Sequence, residues 1–190
     1  MGLLSLEHSK GAYRADFALY GVWVAALAAF LLLATPRALR LETGLLAVAG
    51  ALGWSAIEYV LHRYVLHGLQ PFRGWHEQHH RRPTALNCAP TILSASLIGT
   101  LVFLPALVLG GPWRACALTL GVSAGYLAYA VTHHATHHWR ADSAWLKRRK
   151  RWHALHHHGM ERPGCCYGVT SGLWDRVFGS DHRRSESARC

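Results

Sequence analysis

The chain has 190 residues, about the length of one domain, and 51% of them are hydrophobic. Lys and Arg number 20 against 10 Asp and Glu, which gives a net charge of +10. This composition argues against a disordered chain, and five cysteines without a Cys-x-x-Cys spacing argue against a disulfide scaffold. Because no nucleic-acid-binding motif accompanies the charge, we expect no nucleic-acid partner. The sequence predicts one ordered domain over residues 1–190 with reduced cysteines.

Four apolar stretches approach the roughly 20 helical residues that cross a hydrocarbon core. They are residues 17–34, 44–61, 91–110 and 115–132. The first contains no charged residue, whereas helices of soluble bundles usually carry a polar stripe. We therefore predict an all-α, polytopic membrane protein with four transmembrane helices.

The connectors between these stretches are short on one side of the membrane and long on the other. The long segments 62–90 and 133–190 carry 4 and 11 Lys and Arg, and the first 16 residues carry 2 more. Only Arg37, Arg40 and Arg114 remain for the opposite side. The positive-inside rule then places both termini and both long segments in the cytoplasm. The basic run 147–151 either attracts anionic lipid or an acidic electron carrier, or is only a topology signal.

Histidine is unusually frequent, with 15 residues in the chain and 13 of them from His62 to His158. They form four clusters, at 62–67, 76–80, 133–138 and 153–158, and two of these contain the pattern His-x-x-His-His. Residues at i, i+3 and i+4 share one face of a helix, so each such box can direct three imidazoles to one point. The five-residue step from His62 to His67 leaves a net rotation of about 140° on an α-helix, so these two can reach different metals.

The number of histidines favours two metal ions over one. A structural zinc site is complete with four ligands, whereas these clusters offer at least ten imidazoles. Imidazole binds iron, copper and zinc alike, so the composition leaves the element open. We predict a cytoplasmic histidine-rich helical cap, formed by residues 62–90 and 133–190, that holds a dimetal centre.

The order and spacing of these motifs resemble the membrane fatty acid hydroxylase and sterol desaturase superfamily. The resemblance runs over about residues 54–180 and is closest to the sphingolipid fatty acid 2-hydroxylases. It is carried by 57–67, by the box 76–80 with Pro83, by His133 and His137, and by 153–157 followed by 167–175. Ala130 departs from the Asp that is frequent in that branch, and the segment after Pro83 is shorter.

The resemblance implies a set of ten histidines that ligate two iron ions, which zinc can replace in purified protein. The ten are His62, His67, His76, His79, His80, His133, His137, His153, His156 and His157. Three others, His134, His138 and His158, are expected to lie behind the ligands or to face solvent. His8 and His182 lie outside the clusters and are expected to be ordinary surface residues. Glu58, Glu77 and Asp175 are expected either to orient imidazole N–H groups or to pair with Arg63, Arg81 or Arg176.

The function implied is a dioxygen-dependent di-iron monooxygenase, an oxidoreductase that hydroxylates a C–H bond of a lipid acyl chain. The substrate would be a fatty acid or a sphingolipid N-acyl chain taken from the bilayer, with C2 as the candidate position. Since only about 16 residues precede the first apolar stretch, we expect no fused cytochrome b5 domain. A separate electron donor, of the cytochrome b5 or ferredoxin type with its reductase, is therefore expected. The compact size favours a bacterial inner membrane over the endoplasmic reticulum.

Three alternatives remain open at the level of sequence. A carotenoid hydroxylase resembles the chain in size and box order, although the stretch 168–175 favours the fatty acid branch. A lipid or sterol desaturase would use the same centre. A non-catalytic metal-binding or transport protein is the alternative from another class, but a permeation path needs polar ligands within the spans, and here they lie at one end.

Overall fold

The computed structural model describes residues 8–87, 89–158 and 164–181, and nearly all of them are helical. Apart from an isolated bridge residue at Asn87, these ranges contain no β-strand, which confirms the predicted all-α class. The α-helices are α1 (Lys10–Ala34), α2 (Arg40–Val60), α3 (Phe72–Arg81), α4 (Thr91–Ile98), α5 (Leu104–His138), α6 (Ala144–His158) and α7 (Leu173–Val177). A 3-10 turn, Arg37–Leu39, precedes α2, and π-helical segments follow α2 (Leu61–Leu66) and α4 (Gly99–Phe103).

In the part of the chain that the structure describes, three helical segments are long and apolar enough to cross a membrane: Lys10–Ala34, Arg37–Leu66 and Thr91–His138. The predicted spans 17–34 and 44–61 fall within the first two, and both 91–110 and 115–132 fall within the third. The predicted number of four spans is therefore not confirmed by length and composition. Their outer faces carry strongly exposed apolar side chains, such as Leu33 at 84% and Leu109 at 87%, as expected for helices that contact lipid.

The third segment is interrupted at Gly111. This residue has φ 78° and ψ 178°, a conformation that glycine adopts without steric cost, and Pro112 restarts the helix after it. Tyr20 contacts both arms: its hydroxyl lies 2.7 Å from Ser94 Oγ, and its ring lies 4.7 Å from that of Tyr126. In one straight helix, Ser94 and Tyr126 would be about 48 Å apart. The chain therefore reverses direction at Gly111, and the two arms run antiparallel.

The chain divides into two compact units. The first comprises the described residues up to Trp54 together with Leu86–Leu127, and the second comprises Ser55–Ala85 and the described residues from Ala128 onward. In the first unit, Gly121 allows very close helix contact, because a Cβ atom there would lie 2.0 Å from the carbonyl oxygen of Ala47. Small residues of this kind drive packing where lipid removes the hydrophobic effect between helices. The second unit contains all four histidine clusters.

Candidate metal centre

The predicted ligands lie on four helical elements of the second unit, except for one that directly follows a helical element. His62 lies in the π-helical end of α2, and His67 directly follows that segment. Helix α3 carries the first His-x-x-His-His box, the end of α5 carries the pair His133 and His137, and α6 carries the second box. In both boxes the three histidines lie within one turn, as the helical spacing predicts.

The ten predicted ligands assemble into two groups of five, in each of which the candidate ligand atoms lie within 4.8 Å of one another. The first histidine group is His62, His67, His76, His80 and His156. The second histidine group is His79, His133, His137, His153 and His157. His134, His138 and His158 belong to neither; the first two stack on each other with ring centroids 4.5 Å apart, and His158 is exposed. His8 is half-buried in the first unit, and His182 lies outside the described residues.

His62 and His67 lie in the same group, so the prediction that they could reach different metals is wrong. The reason is the π-helical segment Leu61–Leu66. Its i→i+5 hydrogen bonding brings residues five apart close to one face, whereas the α-helical geometry assumed from the sequence would separate them. The two imidazole centroids are 5.3 Å apart. π-Helical turns of this kind are frequent at functional sites.

The two boxes contribute to the groups in a reciprocal way. Helix α3 gives its i, i+4 pair, His76 and His80, to the first group and His79 to the second. Helix α6 gives its i, i+4 pair, His153 and His157, to the second group and His156 to the first. Adjacent residues of each helix thus serve different groups, so the prediction that each box directs its three imidazoles to one point is wrong. Neither group can form without both helices.

The distances between ring nitrogens do not describe a hydrogen-bond network. His76 Nε2 lies 2.9 Å from His62 Nε2 and 3.0 Å from His80 Nε2. One imidazole nitrogen either donates one hydrogen or accepts with one lone pair, so it cannot bond two such neighbours. Two metal-bound nitrogens at bond lengths of about 2.1 Å are separated by about 3.0–3.4 Å. The separations therefore fit nitrogens that share a cation.

The second group shows the same convergence. His153 Nε2 lies 2.8 Å from His137 Nε2 and 3.0 Å from His157 Nε2, and His133 Nε2 lies 3.0 Å from His79 Nε2. In a neutral imidazole whose Nδ1 carries the hydrogen, Nε2 is the one nitrogen with a lone pair available to bind a metal. Both groups thus present nitrogen-only donor sets.

Burial keeps the imidazoles in the neutral form that binds metal. It lowers the pKa of His67 and His80 to about 4 and that of His157 to about 3, from an ordinary value of 6.5. For most of the histidines, repulsion by neighbouring imidazoles acts in the same direction after burial. The pKa is likewise lowered, mainly by burial, for His76, His79, His153 and His156. These rings therefore need not lose a proton at neutral pH before they bind a cation.

Two imidazoles of the first group are oriented by backbone carbonyls. His62 Nδ1 lies 2.5 Å from the carbonyl oxygen of Tyr167, and His156 Nδ1 lies 3.0 Å from that of Cys165. Because a carbonyl oxygen only accepts, Nδ1 donates in both cases and Nε2 keeps its lone pair for a metal. Metal-binding histidines commonly have a hydrogen-bond partner of this kind.

The three carboxylates expected near the imidazoles bond elsewhere. Glu77 pairs with Arg73 at 2.9 Å on the surface of α3. Glu58 and Asp175 accept hydrogen bonds from backbone N–H groups of residues 167–170. Within the described residues, none of the three carboxylates pairs with Arg63, Arg81 or Arg176, so that alternative is wrong, and none bonds an imidazole directly. Glu58 and Asp175 reach the site indirectly, because they hold the segment that carries the two carbonyls.

Sequence reasoning missed the role of segment 165–171, since a backbone carbonyl has no side-chain code. One signal was available in Gly168, where a Cβ atom would lie 1.9 Å from the carbonyl oxygen of Ser171. The stretch 164–172, which follows the second box, contains three glycines, at 164, 168 and 172, and such a stretch near a histidine box indicates a tight backbone turn close to the site.

Comparison with known proteins identifies the family to which this site belongs. The family model described as fatty acid hydroxylase matches residues 47–180, and the chain is a member of that family, as its motifs predicted. The hydroxylase domain visible in the structure of full-length scs7p has the same fold: the TM-score is 0.75 at 24% sequence identity, covering 89% of this chain and 66% of that one.

The similar curated proteins are hydroxylases of ceramide or fatty acyl chains. Dihydroceramide fatty acyl 2-hydroxylase FAH2 of Arabidopsis thaliana is 33% identical over 150 residues, which cover 73% of this chain and 61% of the relative. Ceramide very long chain fatty acid hydroxylase scs7 of Schizosaccharomyces pombe is 33% identical over 147 residues, 70% of this chain and 41% of the relative. Fatty acid 2-hydroxylase of Mus musculus is 29% identical over 149 residues, 70% of this chain and 38% of the relative.

The chain thus spans about 61% or less of the length of these relatives. All three come from eukaryotes, so they give no support to the expected preference for a bacterial inner membrane. Family membership and the apolar helices together make this a membrane protein.

Proposed function

We propose that this protein is a membrane-bound hydroxylase that introduces a hydroxyl group into a lipid acyl chain, using a dimetal centre built from the two histidine groups. The observation that carries the proposal is the pairing of two five-nitrogen groups in a member of the fatty acid hydroxylase family. The substrate class follows the relatives, which act on fatty acyl chains of ceramides or on fatty acids. A fatty acyl chain, free or amide-linked in a sphingolipid, is the proposed substrate, with C2 as its reacting position.

The metal proposed for the centre is iron, two ions per chain, with dioxygen as co-substrate. A nitrogen-only donor set fits iron, copper and zinc. Zinc has no redox chemistry, and iron is the redox metal that the family resemblance implies for oxygen insertion into an unactivated C–H bond. Two bound iron ions would supply the redox chemistry by which dioxygen is reduced and the C–H bond is hydroxylated.

The chain's own residues position ligands and exclude water. His62 is 2% exposed and His153 is 3% exposed, so bulk water has little access to these ring faces. The carbonyls of Tyr167 and Cys165 fix two rings in the tautomer that binds metal. The lowered pKa of the α3 and α6 histidines keeps those rings neutral, so that no proton competes for the lone pair. Such preorganisation reduces the rearrangement needed during the reaction.

We assign four membrane crossings to the chain, and two features support this number. His79 precedes the segment Thr91–His138 and His153 follows it, yet both belong to the second histidine group. Both ends of that segment must then lie on one side of the membrane, so the segment must cross the membrane an even number of times. The reversal at Gly111 supplies the second feature. The distribution of Lys and Arg places the histidine side in the cytoplasm.

The electrons for the reaction are proposed to come from a separate carrier of the cytochrome b5 or ferredoxin type. Lys147, Arg148 and Arg151 are exposed on α6, whereas Arg149 is buried, with its guanidinium 5.6 Å from the ring of Trp152. The three exposed cations on the helix that carries the second box offer a docking surface for an acidic carrier.

The test combines metal analysis with lipid analysis of cells that make the protein. We expect about two iron ions per chain after growth with added iron, and an acyl or ceramide species that gains the mass of one oxygen. The double variant His156→Ala, His157→Ala should lose both the iron and the new lipid. A change confined to carotenoids would overturn the substrate, loss of two hydrogens in place of oxygen gain would favour desaturation, and a protein without metal would overturn the proposal.

A further inference from the structure

Two buried carboxylates hold the segment that orients the first histidine group. Asp175 on α7 is 0% exposed, and Glu58 on α2 is 3% exposed. Four successive backbone N–H groups point at them: those of Tyr167 and Gly168 donate to Asp175, and those of residues 169 and 170 donate to Glu58. A buried carboxylate is costly unless it is fully hydrogen-bonded, so this arrangement fixes the backbone of the segment strongly.

The bond from Gly168 to Asp175 determines where the carbonyl of Tyr167 points. Gly168 N–H and Tyr167 C=O belong to one peptide unit, and in a trans peptide these two bonds point in opposite directions. Gly168 N–H lies 2.8 Å from Asp175 Oδ2, and the Tyr167 carbonyl oxygen on the other side lies 2.5 Å from His62 Nδ1. The carboxylate, the peptide unit and the imidazole are therefore joined by a continuous chain of hydrogen bonds. A hydrogen bond to the N–H also makes the carbonyl of the same peptide a stronger acceptor.

A second chain of hydrogen bonds of the same kind ends at His156. Its Nδ1 donates to the carbonyl of Cys165, whose peptide partner Cys166 N–H donates to the carbonyl of Ser180 at 2.9 Å. Ser180 is tied to Asp175 twice, because its hydroxyl donates to Asp175 Oδ1 at 2.8 Å and its N–H donates to the carbonyl of Asp175 at 2.8 Å. Both oriented imidazoles of the first group thus depend on Asp175.

The second histidine group lacks this support among the described residues. The Nδ1 atoms of His79, His153 and His157 are buried there without a hydrogen-bond partner. In the first group the same is true of His80 alone. The two groups therefore offer equal numbers of nitrogens, but they differ in how many of their rings are oriented by a hydrogen bond at Nδ1.

We propose that Asp175 is a positioning residue that acts through the peptide units 167–168 and 165–166 on His62 and His156, so that it supports metal binding by the first histidine group and not by the second. The inference rests on the proposed dimetal function, but it concerns the inequality of the two sites and is measured without the lipid reaction. Replacement of a hydrogen-bond partner behind a metal ligand typically lowers metal affinity about 10–100-fold.

The experiment is a cobalt(II) titration of metal-depleted protein in detergent, followed by visible absorption. In Asp175→Asn, an amide of the same size replaces a carboxylate oxygen that accepts two donors, so one N–H of the segment loses its acceptor. We expect the unchanged chain to bind two ions and the variant to bind one with unaltered affinity and the other about 10–100-fold more weakly. Asp142→Asn is the matched control, since Asp142 is exposed and the chemical change is identical.

Single-group variants assign the ion that is lost. His67→Ala removes a ligand of the first group only and His137→Ala one of the second only, so the spectrum of Asp175→Asn with one ion bound should match that of His67→Ala. If Asp175→Asn does not fold by circular dichroism, Ser180→Ala, which removes one of the donors to Asp175 Oδ1, should weaken the same ion by a smaller factor. Equal weakening of both ions, or of neither, would overturn the inference, whereas an unchanged chain that binds fewer than two ions would overturn the proposed function itself.

Discussion

At the scale of single residues, substitution of either of two neighbouring histidines on α6 is expected to affect a different metal ion. His156 belongs to the first group and His157 to the second, although they are adjacent in the chain. We expect His156→Ala and His157→Ala each to lower the iron content from about two ions to about one, with different ions lost. His158→Ala is the control, because His158 is exposed on the same helix and belongs to neither group. Elemental analysis of the purified variants gives the result, and loss of both ions from either single variant would contradict independent sites.

The buried histidines also predict how the metal-depleted protein responds to acid. His67 and His80 have a pKa of about 4 in the folded chain against 6.5 ordinarily, so between these values the unfolded chain binds more protons. The free energy of unfolding must then decrease as the pH falls from about 6.5 towards 4. Thermal unfolding in detergent at pH 7.5, 6 and 5 should show falling transition temperatures, and the double variant His67→Ala, His80→Ala should show a shallower trend. A flat profile for the unchanged chain would contradict neutral burial.

The candidate ligands were predictable from sequence, whereas the backbone carbonyls that orient two of them were not. The histidine boxes reveal the chemistry of the candidate ligands, and all ten predicted residues lie in the two groups, but the spacing i, i+3 and i+4 did not reveal which group each ring joins. Whether they bind metal stays a prediction. The carbonyl of Tyr167 could not be found in this way, because every residue has a carbonyl and only the folded path of the chain decides where it points.

At the scale of elements, the close contact between α2 and the second arm of the Gly111 reversal limits what Gly121 can become. A Cβ atom at Gly121 would meet backbone atoms of Ala47 at 2.0 Å and Ala51 at 2.8 Å, and backbone cannot rotate away. We expect Gly121→Val to destabilise the protein by about 1–3 kcal/mol, the usual cost of overpacking. Gly53→Val is the matched control, since nothing lies within 4 Å of a Cβ atom at that position. Thermal unfolding in one detergent compares the two, and equal stability would contradict the contact.

The elements also show where periodicity is an insufficient guide. The reversal at Gly111 agrees with the predicted break between 91–110 and 115–132, because a glycine followed by proline interrupts a helix for local steric reasons. The π-helical turn at Leu61–Leu66 has no such local cause. It adds one residue to a helical turn and brings His62 and His67 to one group, whose other members lie on α3 and α6.

At the scale of the whole molecule, the number of crossings can be tested with single cysteines. Four crossings place Thr84 and Asp142 on the same side of the membrane and Ala38 on the opposite side, whereas three crossings would separate Thr84 from Asp142. All three residues are exposed. We expect a membrane-impermeant thiol reagent added to sealed vesicles of known orientation to label Thr84→Cys and Asp142→Cys together, and Ala38→Cys only from the other face. The unchanged chain gives the background labelling, and opposite behaviour of Thr84→Cys and Asp142→Cys would refute the assignment.

The reciprocal contribution of α3 and α6 has a consequence for biogenesis. Each histidine group takes members from both sides of the segment Thr91–His138, and the last members, His156 and His157, follow it in the chain. A ribosome that has made only the first half of the chain therefore carries five of the ten histidines of the two groups, and these complete neither group. If the two groups bind metal as proposed, neither can reach its full set of five histidines before the residues that follow this segment have been made, so complete loading is expected only after the whole chain has been synthesised.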